Sequence, residues 1–326
     1  MAHPLIDKKV VLVLLGPTGI GKTAVSQELA RQIPVEIISA DSRQVYRFMD
    51  IGTDKPHPSF RAEVPHHFVD VLTPDVPFSA GEFARQARTV IQQILQKETL
   101  PLVVGGSGLY IRALLEGFFE QDVKDTTLRQ KLETKAQREG AEALYQELAK
   151  VDPVSAAEIH PHNVKRVIRA LEVFFLTGKP ISHWHLQRDP APFPYIKIGL
   201  TMERAALYER INQRVEQMFD SGLIEETRRL LAMGYSPKLN ALNTVGYKEV
   251  IRFLNEEIDL YTCVELVKRN TRRFAKRQFT WFRAEKNIHW ITLPPNYHPK
   301  IVAERVLALA ETLPPVDPYA LAKEAE

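Results

Sequence analysis

The chain has 326 residues, a formal net charge of +3 and an amino-acid composition typical of a globular protein, with length enough for one large or two modest domains. Its single cysteine, Cys263, excludes an internal disulfide framework and a cysteine-based zinc site. No segment approaches the ~20 apolar residues of a membrane span, and the N-terminus lacks the apolar core of a signal peptide, so we expect a cytoplasmic protein with no membrane partner.

The first predicted unit is a strand, a glycine-rich turn and a helix. Six apolar residues lead into Gly16, Pro17, Thr18, Gly19, Ile20, Gly21, Lys22 and Thr23. This turn has the phosphate-loop spacing G-x-x-x-x-G-K-[ST]: its backbone N–H groups and the helix N-terminus attract an anion, Lys22 adds a charge, and the Thr23 hydroxyl can ligate Mg²⁺. An ordinary glycine turn is the alternative, but the flanking strand and helix favour a di- or triphosphate site.

A second strand is predicted over residues 35–40, and it delivers Asp41 at its carboxyl end. Ligands bind at this edge of an open α/β sheet, so we expect Asp41 near the phosphate loop, as a Mg²⁺ ligand or a base. A turn-capping role for the carboxylate is the alternative.

Residues 50–78 are rich in proline, glycine and aspartate and predict a long surface excursion, in which His66 and His67 are expected to be simple surface residues. Ser79 and Glu82 form a capping box that opens a helix to about Gln96. A third strand over 100–104 then ends in a second glycine-rich turn that contains Ser107. Because this turn has no aspartate, the acidic residue that phosphate-loop ATPases use for Mg²⁺ is missing from its usual place.

The pattern becomes all-helical over residues 119–194, with predicted helices over 128–139, 141–150 and 165–176. Strand character returns at 195–200. The following helix carries Arg210 and Arg214, four residues apart on one face and expected to lie toward the phosphate side.

A basic helix is predicted near the C-terminus. Residues 266–283 contain seven basic residues and no acidic one, with Val267, Phe274 and Trp281 expected to form the buried edge. An ordinary solvated helix mixes its charges, so this run favours binding to a phosphate backbone, although a basic solvated face is the alternative. A strand at 288–291 and a final helix follow.

These stretches resemble the tRNA dimethylallyltransferase (tRNA isopentenyltransferase) family. The matching segments are GPTGIGKT at 16–23, ADSRQVYRFMDIGTDKP at 40–56, VGGSGLY at 104–110, HPHNVKRVIRALEVFF at 160–175, NTVGYKEV at 243–250 and AKRQFTWFR at 275–283. The resemblance implies an enzyme, a prenyltransferase that transfers a dimethylallyl group from dimethylallyl diphosphate to N6 of the adenosine 3′ of the tRNA anticodon, position 37. It also implies Mg²⁺, a monomer, and a tRNA anticodon stem-loop as partner.

By the same resemblance, Asp41 is the general base, Ser107 bonds the target base in place of the more common threonine, and Arg214 contacts the diphosphate. Lys22 and Thr23 match the family's phosphate loop. The implied tRNA contacts are Asp41, Ser42, Arg43, Gln44, Ser107, Arg129, Lys165, Arg166, Arg169, Asn243, Thr244, Val245, Gly246, Tyr247, Lys248, Lys276, Arg277, Gln278 and Arg283. Asn243 and Thr244 stand where some relatives have an Arg-Cys pair.

We therefore expect an α/β fold, with a phosphate-loop core whose parallel sheet is flanked by helices, and an all-helical insertion. The expected boundaries are 1–118 and 195–314 for the core, 119–194 for a tRNA-binding insertion, and 315–326 for a disordered tail. An ATP-dependent small-molecule kinase is the first alternative, but it leaves the basic helix unexplained. A non-catalytic, nucleotide-gated RNA-binding module is the second.

Overall fold

A computed structural model describes residues 3–117, 125–186 and 189–319 of the chain. The chain divides into two compact units. The first combines Met1–Leu115 with Ala191–Glu326, and the second is Glu116–Pro190. Within the described residues, every helix is too short or too polar to cross a bilayer.

The first unit is built on one sheet of six parallel strands. They are β1 (Val11–Leu15), β2 (Val35–Ala40), β3 (His66–His67), β4 (Leu100–Gly105), β5 (Tyr195–Met202) and β6 (Ile288–Leu293). Their order is β3-β2-β4-β1-β5-β6, and all five strand pairings are parallel. All residues of β1 and β2 are buried, as expected for inner strands of a parallel sheet; β1 is wholly apolar, whereas β2 also buries Glu36 and Ser39. The predicted α/β fold is confirmed.

Ten helices of the described chain flank this sheet. They are α1 (Pro4–Asp7), α2 (Lys22–Gln32), α3 (Pro58–Glu63), α4 (Ala80–Ile94), α5 (Gly108–Glu116), α11 (Arg204–Asp220), α12 (Leu223–Ala232), α13 (Tyr247–Leu254), α14 (Leu260–Arg283) and α15 (Pro299–Thr312). The main core contains residues of β1, β4, β5, α2, α11 and α15. A second cluster joins α12, α13 and the start of α14 to Val45, Tyr46 and Met49.

The second unit is helical in its described part. Its helices are α6 (Thr126–Glu139), α7 (Ala141–Val151), α8 (Pro153–Glu158), α9 (Val164–Thr177) and α10 (Ile181–Leu186). They pack around a separate apolar cluster that includes Leu144, Leu148 and Leu171. The predicted junction between residues 118 and 119 lies outside the described residues.

Three local predictions are corrected by the structure. His66 and His67 are half-buried in β3, where Nε2 of His67 lies 2.8 Å from the Glu36 carboxylate. The tail prediction fails at its start, because Val316 pairs with Tyr195; residues 320–326 lie outside the described chain. The predicted buried edge of α14 is only partly right, because Val267 is buried and Trp281 half-buried but Phe274 is 39% exposed.

The real buried face of α14 follows from the helical period. Its members are Cys263, Val267, Thr271, Ala275, Gln278 and Phe282, spaced by three or four residues. At about 100° per residue, Phe274 lies within ~20° of Cys263 and Val267 around the helix axis. It is exposed because it borders a cavity beside the phosphate loop rather than the core.

Candidate active site

The phosphate loop connects β1 to α2 at the carboxyl end of the sheet. Gly21 precedes α2 with a φ of 95°, a left-handed conformation that suits glycine. A Cβ at this position would lie 1.7 Å from the Tyr297 hydroxyl oxygen, so the close approach also requires glycine. Helix α2 begins at Lys22, and its N-terminus therefore faces the same space as the loop amides.

Lys22 extends along the loop rather than into solvent. Its Nζ donates to the carbonyl oxygens of Gly16, at 3.0 Å, and Pro17, at 2.9 Å. Burial lowers the pKa of the Lys22 amine to about 8, and the Asp41 carboxylate partly opposes that shift. The charge of this side chain is therefore sensitive to mildly alkaline pH.

A cavity of about 280 Å³ lies against this loop, within the first unit. Besides loop residues, its lining includes the side chains of Asp41, Gln44, Asp54, Arg210, Arg214, Phe274 and Gln278. Three basic side chains, two carboxylates and the Thr23 hydroxyl thus share one space with an exposed aromatic ring. A site of this kind can bind an oxyanion, hold a proton acceptor beside it and contact an apolar group.

Asp41 and Ser107 meet because β2 and β4 are neighbours in the sheet. The Ser42 N–H donates to Ser107 Oγ at 3.0 Å, and the Ser107 N–H donates to the Ala40 carbonyl at 3.2 Å. Asp41 Oδ1 accepts from the N–H groups of Arg43, at 2.8 Å, and Gln44, at 3.4 Å. One carboxylate oxygen therefore caps the turn, while among the described residues no donor contacts Oδ2. The capping role and a role as base are compatible, and the predicted proximity to the phosphate loop is confirmed.

Arg210 and Arg214 project from α11 to the phosphate loop. Arg210 Nε donates to the Gly19 carbonyl at 3.3 Å. Arg214 Nη2 donates to Thr18 Oγ1 at 2.8 Å, and its Nη1 lies 2.8 Å from Asp54 Oδ2. Both arginines therefore lie where the sequence placed them.

Gln278 is buried and joins two loops of the site. Its Oε1 accepts from the Thr18 N–H at 2.8 Å, and its Nε2 donates to the Gly106 carbonyl at 2.8 Å. Only 7% of the residue's surface is exposed, so both polar atoms of the side chain bond to the protein itself. Gln278 therefore links the phosphate loop to the turn after β4, and its contact with tRNA stays a prediction.

The outer face of α14 is basic toward its C-terminal end. Arg273, Lys276, Arg277 and Arg283 are exposed. Earlier in the helix the charge is partly neutralised, because Lys268 pairs with Glu216 at 2.7 Å and with Glu265 at 3.1 Å. We therefore define the outer basic face by Arg273, Lys276, Arg277 and Arg283.

The segment at 243–248 divides between surface and core. Asn243 is exposed and Thr244, Val245 and Lys248 are half-buried. Tyr247 is completely buried and donates its hydroxyl to Glu226 at 2.6 Å, so its side chain is not an RNA contact. Gly246 is also buried, and its N–H donates to the Glu249 carboxylate at 2.8 Å.

In the helical unit, two of the predicted RNA-contacting arginines have an internal partner. Glu172, which is fully buried, lies 2.7 Å from Arg129 and 2.8 Å from Arg169. These two side chains therefore stabilise the unit itself. Lys165 and Arg166, in the first turn of α9, are exposed.

Two further predicted tRNA contacts, Arg43 and Gln44, lie near the phosphate loop and make hydrogen bonds within the protein. The guanidinium of Arg43 donates to the Asn240 carbonyl at 2.9 Å. Gln44 Nε2 donates to the carbonyl oxygens of Thr53 and Asp54, and its Oε1 accepts from the Ser39 hydroxyl.

The oxygen donors of the cavity suit a magnesium ion. The Thr23 hydroxyl and the carboxylates of Asp41 and Asp54 line it, and Mg²⁺ prefers oxygen ligands shared with substrate phosphates. Among the described residues, no three His, Cys, Asp or Glu side chains form a preformed metal cluster. A site completed by a phosphate substrate is therefore the arrangement that these residues fit.

Three residues of the site, Asp54, Tyr297 and Phe274, were not predicted from the sequence to belong to it. Asp54 lay inside a matched segment, and Tyr297 lay in a loop after the last strand. The Tyr297 hydroxyl donates to the Ile20 carbonyl at 2.8 Å, so it supports the phosphate loop from outside. Phe274 was assigned to the buried edge, although it lines the cavity.

Comparison with known proteins gives one consistent result. The IPP transferase family model matches residues 44–285, and the Isopentenyl transferase model matches residues 9–74. A tRNA dimethylallyltransferase from Pelotomaculum thermopropionicum is 47% identical over 309 residues, which cover 93% of this chain and 97% of that protein. A second protein of that name, from Geobacter sulfurreducens, is 46% identical and covers 91% of this chain and 96% of its own.

Two solved structures are also similar. A tRNA isopentenylpyrophosphate transferase from Bacillus halodurans is 40% identical with a TM-score of 0.69, covering 93% of this chain and 96% of its own. A eukaryotic dimethylallyltransferase that acts on tRNA is 27% identical with a TM-score of 0.72, covering 86% of this chain and 73% of its own.

Proposed function

The chain belongs to the IPP transferase family, and we propose that it transfers a dimethylallyl group from dimethylallyl diphosphate to N6 of the adenosine at position 37 of tRNA. The observation that carries this proposal is that Asp41 lines the same cavity as the phosphate loop and Arg214, with Ser107 bonded to the neighbouring residue Ser42. Such a cavity can hold a diphosphate leaving group and a proton acceptor at the same time.

The reaction forms one bond and breaks another. The adenine N6 attacks C1 of the dimethylallyl group, the C1–O bond breaks, and diphosphate leaves with the electron pair. The exocyclic amine is a weak nucleophile because its lone pair is delocalised into the ring. Asp41, through its unpartnered Oδ2, accepts the N6 proton as the new bond forms, a contribution of about 10²–10⁴-fold. Ser107 Oγ already accepts from Ser42, so its own proton is available to bond the base.

The leaving diphosphate gains negative charge as the C1–O bond breaks. The loop N–H groups, Lys22 and Arg214 stabilise this charge most where it is greatest, in the transition state. Mg²⁺, held by Thr23 and the diphosphate itself, supplies further charge neutralisation when it is bound. Phe274 offers an apolar surface in the same cavity for the dimethylallyl group.

The outer basic face of α14, together with Asn243 and Lys248, is the proposed surface for the anticodon stem-loop. Exposed cations free of acidic neighbours in the helix suit a phosphate backbone. The target adenosine must leave its stack to reach Asp41, as is usual when enzymes act on a base. Lys165 and Arg166 are proposed as further contacts from the helical unit. A monomer in the cytoplasm fits this proposal.

A small-molecule kinase is not favoured. The similarity to tRNA-modifying transferases extends over nine-tenths of the chain. The turn after β4 carries Gly105, Gly106 and Ser107 where a hydrolytic phosphate-loop enzyme commonly has a Mg²⁺-binding aspartate.

The test is a transfer assay with purified protein, Mg²⁺, dimethylallyl diphosphate and unmodified tRNA, read by nucleoside mass spectrometry. We expect a dimethylallyl-adenosine product that Asp41→Ala reduces by about 10²–10⁴-fold. Asp50→Asn is the matched control, because Asp50 pairs with Lys55 outside the cavity lining and should retain activity. Absence of product, together with ATP turnover without tRNA and no binding to tRNA, would support the kinase instead.

A further inference from the structure

Asp54 is a second carboxylate in the cavity, and neither a base nor a phosphate ligand is needed at its position. Its Oδ2 lies 2.8 Å from Arg214 Nη1, while Arg214 Nη2 donates to Thr18 Oγ1 at 2.8 Å. The guanidinium thus bridges the phosphate loop and Asp54. A planar guanidinium with two fixed donors has one defined orientation.

These two bonds use one N–H each of Nη1 and Nη2, so three of the five guanidinium N–H groups of Arg214 are left. Its Nε is buried, and among the described residues no acceptor contacts it. A buried N–H without a partner is costly, and one attached to a cation is well suited to an anion. The Nε atom is shielded from the cavity, so the unused N–H groups of Nη1 and Nη2 are the donors that Arg214, as a lining residue, can offer to a diphosphate oxygen.

Asp54 is itself held firmly by its loop. Its backbone has a φ of 53°, a strained left-handed conformation for a residue with a side chain. Gln44 Nε2 donates to the carbonyl oxygens of Thr53, at 3.3 Å, and Asp54, at 3.0 Å.

The buried carboxylate of Glu226 completes the anchor. It accepts from the N–H groups of Asp50, Ile51 and Gly52 at 2.9, 2.8 and 3.1 Å, and from the Tyr247 hydroxyl at 2.6 Å. The loop that presents Asp54 therefore has little freedom to move away from Arg214.

We infer that Asp54 is a positioning residue, which holds the Arg214 guanidinium so that its unused Nη N–H groups receive the diphosphate. The inference rests on the proposed function. A carboxylate placed near an anion would otherwise weaken binding by repulsion, but here it engages one N–H of Nη1 and leaves other N–H groups of the guanidinium for the substrate. Asp54 acts through Arg214 and does not touch the reacting atoms.

A double-mutant cycle with Arg214 tests this role. We would titrate inorganic diphosphate with Mg²⁺ into wild-type protein, Asp54→Ala, Arg214→Gln and the double variant by calorimetry. The same four proteins would be assayed for kcat/KM toward dimethylallyl diphosphate, which stays measurable if the binding becomes weak. Asp50→Ala is the matched control, since it removes a carboxylate of the same loop that pairs with Lys55.

Asp54→Ala is expected to weaken diphosphate binding about three- to tenfold, the scale of one charge-assisted hydrogen bond that is partly exposed to water. It should raise KM for dimethylallyl diphosphate by the same factor and leave KM for tRNA unchanged. In the Arg214→Gln background it should have no further effect, and Asp50→Ala should bind diphosphate as wild type does.

Other outcomes would overturn the inference. Tighter diphosphate binding by Asp54→Ala would show that Asp54 repels the substrate. An equal loss in both backgrounds would show a general loop defect, and a loss that disappears when Mg²⁺ is removed would make Asp54 a metal ligand. Failure of the wild-type protein to bind diphosphate would instead contradict the proposed function.

Discussion

Replacement of Gln278 by methionine should distinguish the role of the inner face of α14 from that of its outer basic face. Methionine has nearly the volume of glutamine, so altered packing should change the free energy of unfolding little. The Thr18 N–H and the Gly106 carbonyl, however, both lose their hydrogen-bond partner. An unpaired buried polar group costs ~1–3 kcal/mol. Because both groups border the cavity and water can reach them in part, we expect a total loss of ~2–3 kcal/mol in the free energy of unfolding.

Three measurements on Gln278→Met check this reasoning. Urea denaturation should show the loss of stability, KM for dimethylallyl diphosphate should rise because the phosphate loop is no longer held, and the Kd for tRNA should stay unchanged. Arg277→Met, one residue earlier on the outer basic face, should show the opposite profile, with weaker tRNA binding and unchanged stability. A loss below ~0.5 kcal/mol in Gln278→Met would refute the assignment of a buried link.

Three further outcomes follow from the charged groups. Because the pKa of Lys22 is about 8, its amine is charged below that pH, and affinity for inorganic diphosphate should fall above it by up to about tenfold per pH unit; Lys22→Arg should flatten this calorimetric profile. Neutralising Lys276 and Arg277 together should weaken the salt dependence of tRNA binding. In filter-binding measurements, the slope of log K against log salt concentration should become less negative by ~0.7–0.9 for each lost phosphate contact. Glu172→Ala should destabilise the protein by ~3–5 kcal/mol in urea, since it leaves two arginines without their buried partner.

The Glu172 pair also predicts a pH dependence of stability. Burial opposes ionisation, but the bonds from Arg169 and Arg129 hold the pKa of Glu172 below its ordinary value of 4.5. The carboxylate therefore contributes its full stabilisation above pH 4.5, and loses it as the pH falls through the lowered pKa. In Glu172→Gln, the acid limb of a thermal denaturation series should be correspondingly flatter.

The sequence was sufficient for the parts of the fold that depend on local pattern. Continuous apolar runs predicted the buried strands, and the phosphate-loop spacing predicted the turn before α2. Parallel strands end at one edge, so Asp41 could be placed beside the phosphate loop without coordinates.

Contacts between distant segments could not be obtained in this way. The bond from Thr18 to Gln278 spans 260 residues, and that from Arg214 to Asp54 spans 160. Nothing in the local pattern of an Asn-Thr-Val-Gly-Tyr segment indicates that Tyr247 turns inward to Glu226. For Phe274, the helical pattern gave the correct side of α14, but it could not show that this position borders the cavity and not the core.

Under the proposed function, the single helix α14 contributes to the binding of two substrates, tRNA on its outer face and the diphosphate through its inner face. Its 24 residues form a rod of about 36 Å, with Gln278 on the inner side and Lys276 and Arg277 directly before it on the outer side. Natural or laboratory selection for a different RNA can therefore change outer positions freely, whereas a change at an inner position alters the diphosphate site as well. The helical period divides this one segment into residues that can diverge and residues that cannot.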